Sequence, residues 1–398
     1  MDVIFISNYW HFECEKVSSR YLSIANMAAD SGISVEVITS TFYHTTKKQR
    51  DIFKELSSYK YKTTLIEEPG YKKNIDFERI VSHRKFADNV IKYLEKRKKP
   101  DLIYLFVPPI YLGNQIAEFA EKKNVKLIID ILDLWPEAYN MILPFPKITH
   151  YILEPMKRKA NKIYARADKI IAVSQTYVDR AIQYNCKCKK GLAVYIGTDM
   201  EVFDKYAVPK KIKNSTDIIR VAYIGMLGTS YDLISVVDAI NEMSDSIKEK
   251  IIFEIMGDGP KRTEFEEYAK AKKINAIFTG KLPYDEMVQR LCQCDIAVNP
   301  IKSSSASSII NKVADYSAAS LPIINTQTNL EYRNLLREYN AGFSVDGKDS
   351  QMFSKYLSML ATDNDLRMQM GRNSRRLFEE KFSREKSYPL IIDAIKKW

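Results

Sequence analysis

The stretch Ser308–Asn325, SIINKVADYSAASLPIIN, decides the fold. Val313, Ala314, Ser317 and Ala318 recur at three- and four-residue steps, which puts them on one buried face of a helix. Pro322 forbids further helix, and Ile323 and Ile324 begin an extended run. A helix that runs straight into a strand is the repeating piece of an alternating α/β chain. The Ser-rich loop KSSSASS leads into it, so the helix is expected to open at about Ser308. One carboxylate, Asp315, stands among its small and apolar side chains.

Outward from this stretch the alternation continues. Before it come the runs IIRVAYIG (218–225), KIIFEIMG, NAIFTG and DIAVNPI, each followed by a helical pattern. After it come the helix LEYRNLLREYN, the strand AGFSV and two closing helices. The first half repeats the scheme with VIFIS (3–7), SVEVITS (34–40), DLIYLFV, VKLIIDIL, DKIIAVS and GLAVYIG. A polar stretch to about residue 77 interrupts it, and a long basic helix (77–99) follows. Alternating βα units imply parallel sheets covered by helices on both faces. The expected fold class is therefore α/β, with two Rossmann-like domains and a ligand cleft where they face. Their expected limits are 1–204, a hinge at 205–216 (DKYAVPKKIKNST carries Pro and Lys), 217–382, and a C-terminal helix 383–398 that packs back on the first domain.

The totals agree with this size. The chain has 398 residues, 45% hydrophobic and 28% charged, too many for one core and enough apolar material for two. No run of eighteen apolar residues exists, so no spanning helix is expected. MDVIFISNYW has an acid where the basic region of a signal peptide belongs. Cys186/Cys188 and Cys292/Cys294 are C-x-C pairs without a His cluster, and read as reduced thiols in a cytoplasmic protein. The net charge is +11, and residues 1–200 hold 32 Lys and Arg against 23 Asp and Glu, a net of +9. A basic half seeks an anionic partner. No recognition motif for nucleic acid accompanies that charge.

Six motifs then fall in order. AYIGMLGTSYDLISVVDAI, FEIMGDGP, IFTGKLPYDEMVQRLCQCDIAVNP and SIINKVADYSAASLPII lie in the second half; IIDILDLWPEAYN and AVYIGTDMEVF lie in the first. In this order they resemble the retaining glycosyltransferases of the GT-B fold, family 4. The DLWPE segment is similar to a branch acting in capsule and O-antigen synthesis. The resemblance implies a sugar moved from a nucleotide-sugar donor, expected to be UDP-linked, to a lipid-linked saccharide. It implies donor-binding roles for Gly228, Thr229, Lys281, Leu282, Ser307, Ser308, Ile309, Lys312 and Asp315, with the Asp315 carboxylate on the ribose hydroxyls. Asp133 and Glu137 are the residues expected at the reacting sugar or acceptor, with Asp130 nearer a structural role. Asn8, His11, Glu13 and Lys16, in a bulky loop where the family often has a Gly-Gly turn, are the candidates for the acceptor. No metal or other cofactor is expected.

Three groups usual in that family are missing. Met226 stands in place of an Arg, TSYD follows Gly228 without a Lys, and Ser307 replaces a Glu eight residues before Asp315. Lys312, Lys281 or backbone amides are left to balance the diphosphate. The four histidines read as scattered, without a Ser-His-Asp set. The basic helices 77–99 and 151–167 have the make-up of interfacial helices near anionic lipid. They place the protein in the cytoplasm, peripheral at the inner face of the cell membrane, with a polyprenyl-diphosphate-linked acceptor as partner. Two other function classes fit the same pattern: a sugar-nucleotide epimerase, and an inactive GT-B partner protein that has lost its donor-binding groups.

Overall fold

The β-branched runs become the strands of two parallel sheets in the computed structural model, which describes residues 1–15, 19–51, 55–74, 76–138, 146–209, 218–302 and 308–398. The chain divides into two units. The first is Met1–Tyr195 together with Tyr388–Trp398, and the second is Ile196–Ser387. The border drawn from the sequence at residue 204 lies within the second unit, on the helix Met200–Tyr206. The physical reason is local pairing. Thr198 bonds back and forth with Phe382 and Arg384, at 2.9 and 3.2 Å, which ties this segment to the second unit. Residues 210–216 of the expected hinge lie outside the described residues.

In the first unit the strands are β1 (Asp2–Ser7), β2 (Ser34–Ser40), β3 (Phe42–Tyr43), β4 (Lys48–Gln49), β5 (Lys62–Ile66), β6 (Leu102–Val107), β7 (Lys126–Ile131), β8 (Lys169–Ala172) and β9 (Leu192–Ala193). Seven of them form one parallel sheet, in the order β5-β2-β1-β6-β7-β8-β9. The stretch read as merely polar holds three strands: β5 on the sheet edge and the antiparallel hairpin β3–β4. The core gathers Val3, Phe5, Trp10, Phe12, Ile24, Tyr104 and Phe106 with Ile391 and Ile395 of the last helix. The bulk of the 8–19 loop is thus spent partly in the core, since Trp10 and Phe12 are fully buried.

In the second unit the strands are β10 (Ile219–Ile224), β11 (Ile251–Met256), β12 (Ala276–Gly280), β13 (Ile296–Asn299), β14 (Ile323–Asn325) and β15 (Gly342–Ser344). Their order is β12-β11-β10-β13-β14-β15. The chain starts in the middle, winds outward one way, then returns past β10 and winds the other. The reversal between β10 and β13 opens the two following loops away from each other, the place where open α/β sheets bind ligands. Gly257 lets the loop after β11 press on the loop after β10: a Cβ there would lie 1.8 Å from the Gly225 carbonyl oxygen. The opening stretch folds as a helix over Lys312–Ala318 with Val313, Ala314, Ser317 and Ala318 buried, then as β14. The helix starts four residues later than expected at Ser308, and its N-cap Asn311 makes no side-chain cap bond.

Candidate functional site

The switch point of the second unit brings together the end of β10 and the helix after β13. Lys312 opens that helix, and its side chain reaches across to β10. A Cβ placed on Gly225 would lie 2.9 Å from the Lys312 Nζ, so the ammonium stands against this glycine, whose φ of +120° side chains rarely adopt. That ammonium sits between two aromatic faces, 4.0 Å from the ring centroid of Tyr223 and 3.9 Å from that of Tyr231. It is buried and makes no hydrogen bond within the described residues. Burial pushes its pKa well below the ordinary lysine value. Two tyrosine rings offset part of the cost of burying it. A bare buried ammonium nonetheless favours an anion that brings its own oxygens.

Asp315 lies one turn along the same helix, half-buried. Its Oδ1 accepts hydrogen bonds from the Thr198 hydroxyl at 2.8 Å and from the Tyr284 hydroxyl at 3.2 Å. Its Oδ2 accepts none from a described residue. Loss of solvation raises its pKa to about 6, against the lowering effect of those two bonds and of the Arg384 charge. One carboxylate oxygen is therefore held in place by two hydroxyls, and the other has no bond among the described residues. Thr198 and Tyr284 were not singled out by sequence, because they stand 117 and 31 residues from Asp315.

The remaining expected donor residues surround this pair unevenly. Gly228 is buried and Thr229 exposed in the loop after β10; Met226 is 63% exposed. Lys281 is exposed and Leu282 half-buried in the loop after β12, ahead of the helix Tyr284–Cys292 that carries Tyr284. Ser308 gives its carbonyl to the Gln327 side chain, and Ile309 is buried. Ser307 lies outside the described residues.

In the first unit the expected residues divide into two groups. Asp130 is fully buried and grips Arg20 with both oxygens, at 2.8 and 3.1 Å. Asp133 accepts from the Trp135 indole at 3.1 Å and the Tyr177 hydroxyl at 3.4 Å, and burial raises its pKa. Glu137 pairs with Arg180 at 2.6 Å, while its Oε2 is buried without a hydrogen bond to a described residue. Asn8 is buried, giving its amide to Glu68 at 3.3 Å and leaving its Oδ1 without a bond among the described residues. His11 Nδ1 lies 3.3 Å from the Tyr43 hydroxyl. Glu13 is exposed, and Lys16 lies outside the described residues.

The reading of the histidines as scattered is corrected by the fold. His11, His44 and His83, three of the four, stand on one aromatic patch, the first two beyond the carboxyl ends of β1 and β2 and the third on the helix Phe77–Lys96. The Tyr9 ring contacts His44 and His83, with centroids 5.0 and 5.9 Å apart; Tyr71 contacts the same two at 5.8 and 5.5 Å. Arg79 donates to the Tyr9 hydroxyl at 2.8 Å and lies 5.1 Å over the Trp135 ring, bringing the DLWPE segment to this patch. Burial, then the nearby cations, lower the His44 pKa to about 4 and that of His83 to about 3. His11 and His44 follow shortly after β1 and β2, whereas Arg79 and His83 come from the helix Phe77–Lys96, so no local signal in the sequence joins them.

Residues 204–377 match the family model described as glycosyl transferases group 1. An uncharacterized glycosyltransferase of Methanocaldococcus jannaschii is 21% identical over 227 residues, which span 56% of this chain and 57% of that protein. Two solved structures are similar along the whole chain. HepE of Anabaena in complex with UDP gives a TM-score of 0.71 at 14% identity, covering 100% of each chain. WaaG, a glycosyltransferase involved in lipopolysaccharide biosynthesis, gives 0.64 at 14% identity, again covering 100% of each chain. These likenesses show the GT-B fold, and the family match covers the switch-point region of the second unit.

Proposed function

We propose that the protein is a retaining glycosyltransferase that takes a sugar from a nucleotide diphosphate donor, UDP foremost, and gives it to a lipid-linked saccharide at a membrane surface. The observation that carries the reading is Lys312. A buried ammonium without a hydrogen-bond partner among the described residues stands at the switch point of the unit that matches the transferase family. The family's usual loop cations are absent, and Lys312 brings a cation to the same loop from the neighbouring helix, beside Gly225. In this reading its ammonium and the loop amides near Gly228 hold the diphosphate, and Asp315 Oδ2 accepts from the ribose.

The chemistry then asks little of side chains. The sugar C1–O bond to the diphosphate breaks, the acceptor oxygen bonds C1 on the same face, and the leaving oxygen takes the acceptor's proton. Lys312 stabilises charge growing on that oxygen, in a site with little water to screen it. Asp133 and Glu137 orient hydroxyls of sugar or acceptor, and no metal is required. The first unit supplies the acceptor site, and its basic helices meet anionic lipid. Among the described residues no helix is long and apolar enough to cross a membrane.

A second reading, a non-catalytic GT-B partner, is favoured by one observation: the exposed Met226 where the family has a cation. The two separate in one assay. Purified protein is incubated with a panel of UDP-sugars and a lipid-linked acceptor, and products are followed by mass. A product heavier by one sugar with release of UDP supports the transferase. Absence of binding by every nucleotide supports the partner, and donor turnover without transfer points to hydrolysis or epimerisation. Replacing Lys157, Arg158 and Lys159 by Ser is expected to reduce sedimentation with anionic vesicles; unchanged sedimentation at low salt removes the membrane element.

A further inference from the structure

A cavity of about 520 Å³ lies in the first unit between the β3–β4 hairpin, the segment after β5 and the start of the helix Phe77–Lys96. Its lining is divided in character. Lys47 and Lys72 contribute cations, and Glu78 is the acid among the described lining residues. Phe42, Pro69, Phe77 and Val81 contribute apolar surface.

The cations are short of counter-charge. Lys47 donates to the His44 carbonyl at 2.7 Å and meets its Nδ1 at 3.0 Å, with its ammonium over the Tyr71 ring at 4.7 Å. It forms no ion pair with a described residue, and neither does Lys72. The Tyr71 hydroxyl, 2.5 Å away, shares the same His44 nitrogen, so that imidazole serves as an acceptor and stays neutral. Arg79 stands behind, 5.5 Å over the Tyr71 ring. Glu68, a buried acid in the segment after β5, is engaged by Ser82 and Asn8. Burial, and after it the Arg79 charge, lower the Lys47 pKa.

The rim is unusual in the other direction. Phe77, Ile80 and Val81 are 73%, 50% and 45% exposed. At spacings of three and four they share one helix face, so the exposed apolar surface is contiguous rather than scattered. A positive cavity with an apolar lip fits a molecule with an anionic head and a hydrocarbon tail.

We propose that this cavity binds a phosphorylated lipid, the phosphate on Lys47 and Lys72 and the chain along Phe77, Ile80 and Val81. The inference deepens the acceptor half of the proposed function and rests on that reading for the lipid's biological identity. The probe is farnesyl diphosphate, below its aggregation range, titrated into the full chain and followed by calorimetry. Inorganic diphosphate and phosphatidylglycerol vesicles are the comparison arms. The expected result is saturable one-to-one binding, weaker by about tenfold or more for inorganic diphosphate and for the Lys47→Met/Lys72→Met variant. Phe77→Ser, at an exposed position, is expected to weaken farnesyl diphosphate binding and leave inorganic diphosphate unchanged. Melting curves and UDP titration serve as controls of folding.

Three results overturn the inference: no binding by the wild type, binding indifferent to all three substitutions, or binding to vesicles alone. The last would make the patch a membrane contact without a headgroup pocket. Nucleotide binding without farnesyl diphosphate binding sinks this inference and spares the transferase. Farnesyl diphosphate binding without any nucleotide binding does the reverse.

Discussion

Two buried cations, one in each unit, are treated in opposite ways. Arg20 has every reason to stay where it is. Asp130 takes it from two directions, the carbonyls of Val194 and Tyr195 accept at 2.8 and 3.2 Å, and the Tyr388 ring lies 5.2 Å away. Lys312 has two tyrosine faces and no hydrogen bond within the described residues. The first arrangement is complete without a ligand, and joins the helix after β1 to both ends of the first unit's chain. The second is incomplete, at a strand-order reversal. A buried charge with all its partners builds the scaffold; under the proposed function, one without a partner among the described residues is the one that takes an anion.

The comparison can be broken most forcefully at Arg20. Arg20→Leu strands the Asp130 carboxylate in the core and is expected to cost about 3–5 kcal/mol of stability, read from chemical denaturation. A small loss would mean that the pair is not what secures the first unit. Lys312→Met is expected to do the opposite: UDP affinity falls about 10- to 100-fold, the worth of one or two charge-assisted bonds, while Tm does not fall. A lysine whose pKa is lower folded than unfolded penalises the fold most at acid pH, and the penalty fades as pH rises towards the unfolded value. The gain in Tm from Lys312→Met is therefore largest at low pH and closes on the alkaline side.

Asp315 sharpens the same contrast. Asp315→Ala is expected to weaken UDP binding about tenfold without unfolding the protein. In the wild type, UDP affinity should drop as pH falls through about 6, where this carboxylate takes a proton; the alanine variant should be flat there. A raised carboxyl pKa also means that stability declines as pH climbs from the unfolded value to about 6, so Asp315→Asn should raise Tm at pH 7 and lose that gain below pH 4. Tyr284→Phe is the mildest change, about 0.5–1.5 kcal/mol in UDP binding. It removes a bond that favours the ionised Asp315, so the pH midpoint of UDP binding should move upward, which a purely structural role of the hydroxyl would not produce.

Most of the fold was legible because burial dictates it. VIFIS, LIYLFV and KLIIDI are strands with both faces covered, and they read as continuous apolar runs. KTTLI was not legible: β5 is an edge strand, half-exposed, and its Lys62 pairs across to Glu36 of β2 at 2.8 Å. The start of the helix at Lys312 was missed for a different reason. Serines attract a capping interpretation, but Asn311 takes the cap position and makes no such bond. At the site, Lys312 and Asp315 were readable because they share one short motif. Thr198, Tyr284 and the patch of His44, His83 and Tyr71 were not, since only tertiary folding brings such distant segments together.

The account stands most directly on one titration. UDP is added calorimetrically to the wild type and to the Lys312→Met variant at neutral pH, with a melting curve for each. The expected result is saturable binding to the wild type, a loss of tenfold or more in the variant, and an equal or higher Tm. Equal UDP affinity in the two proteins, with both folded, would contradict it.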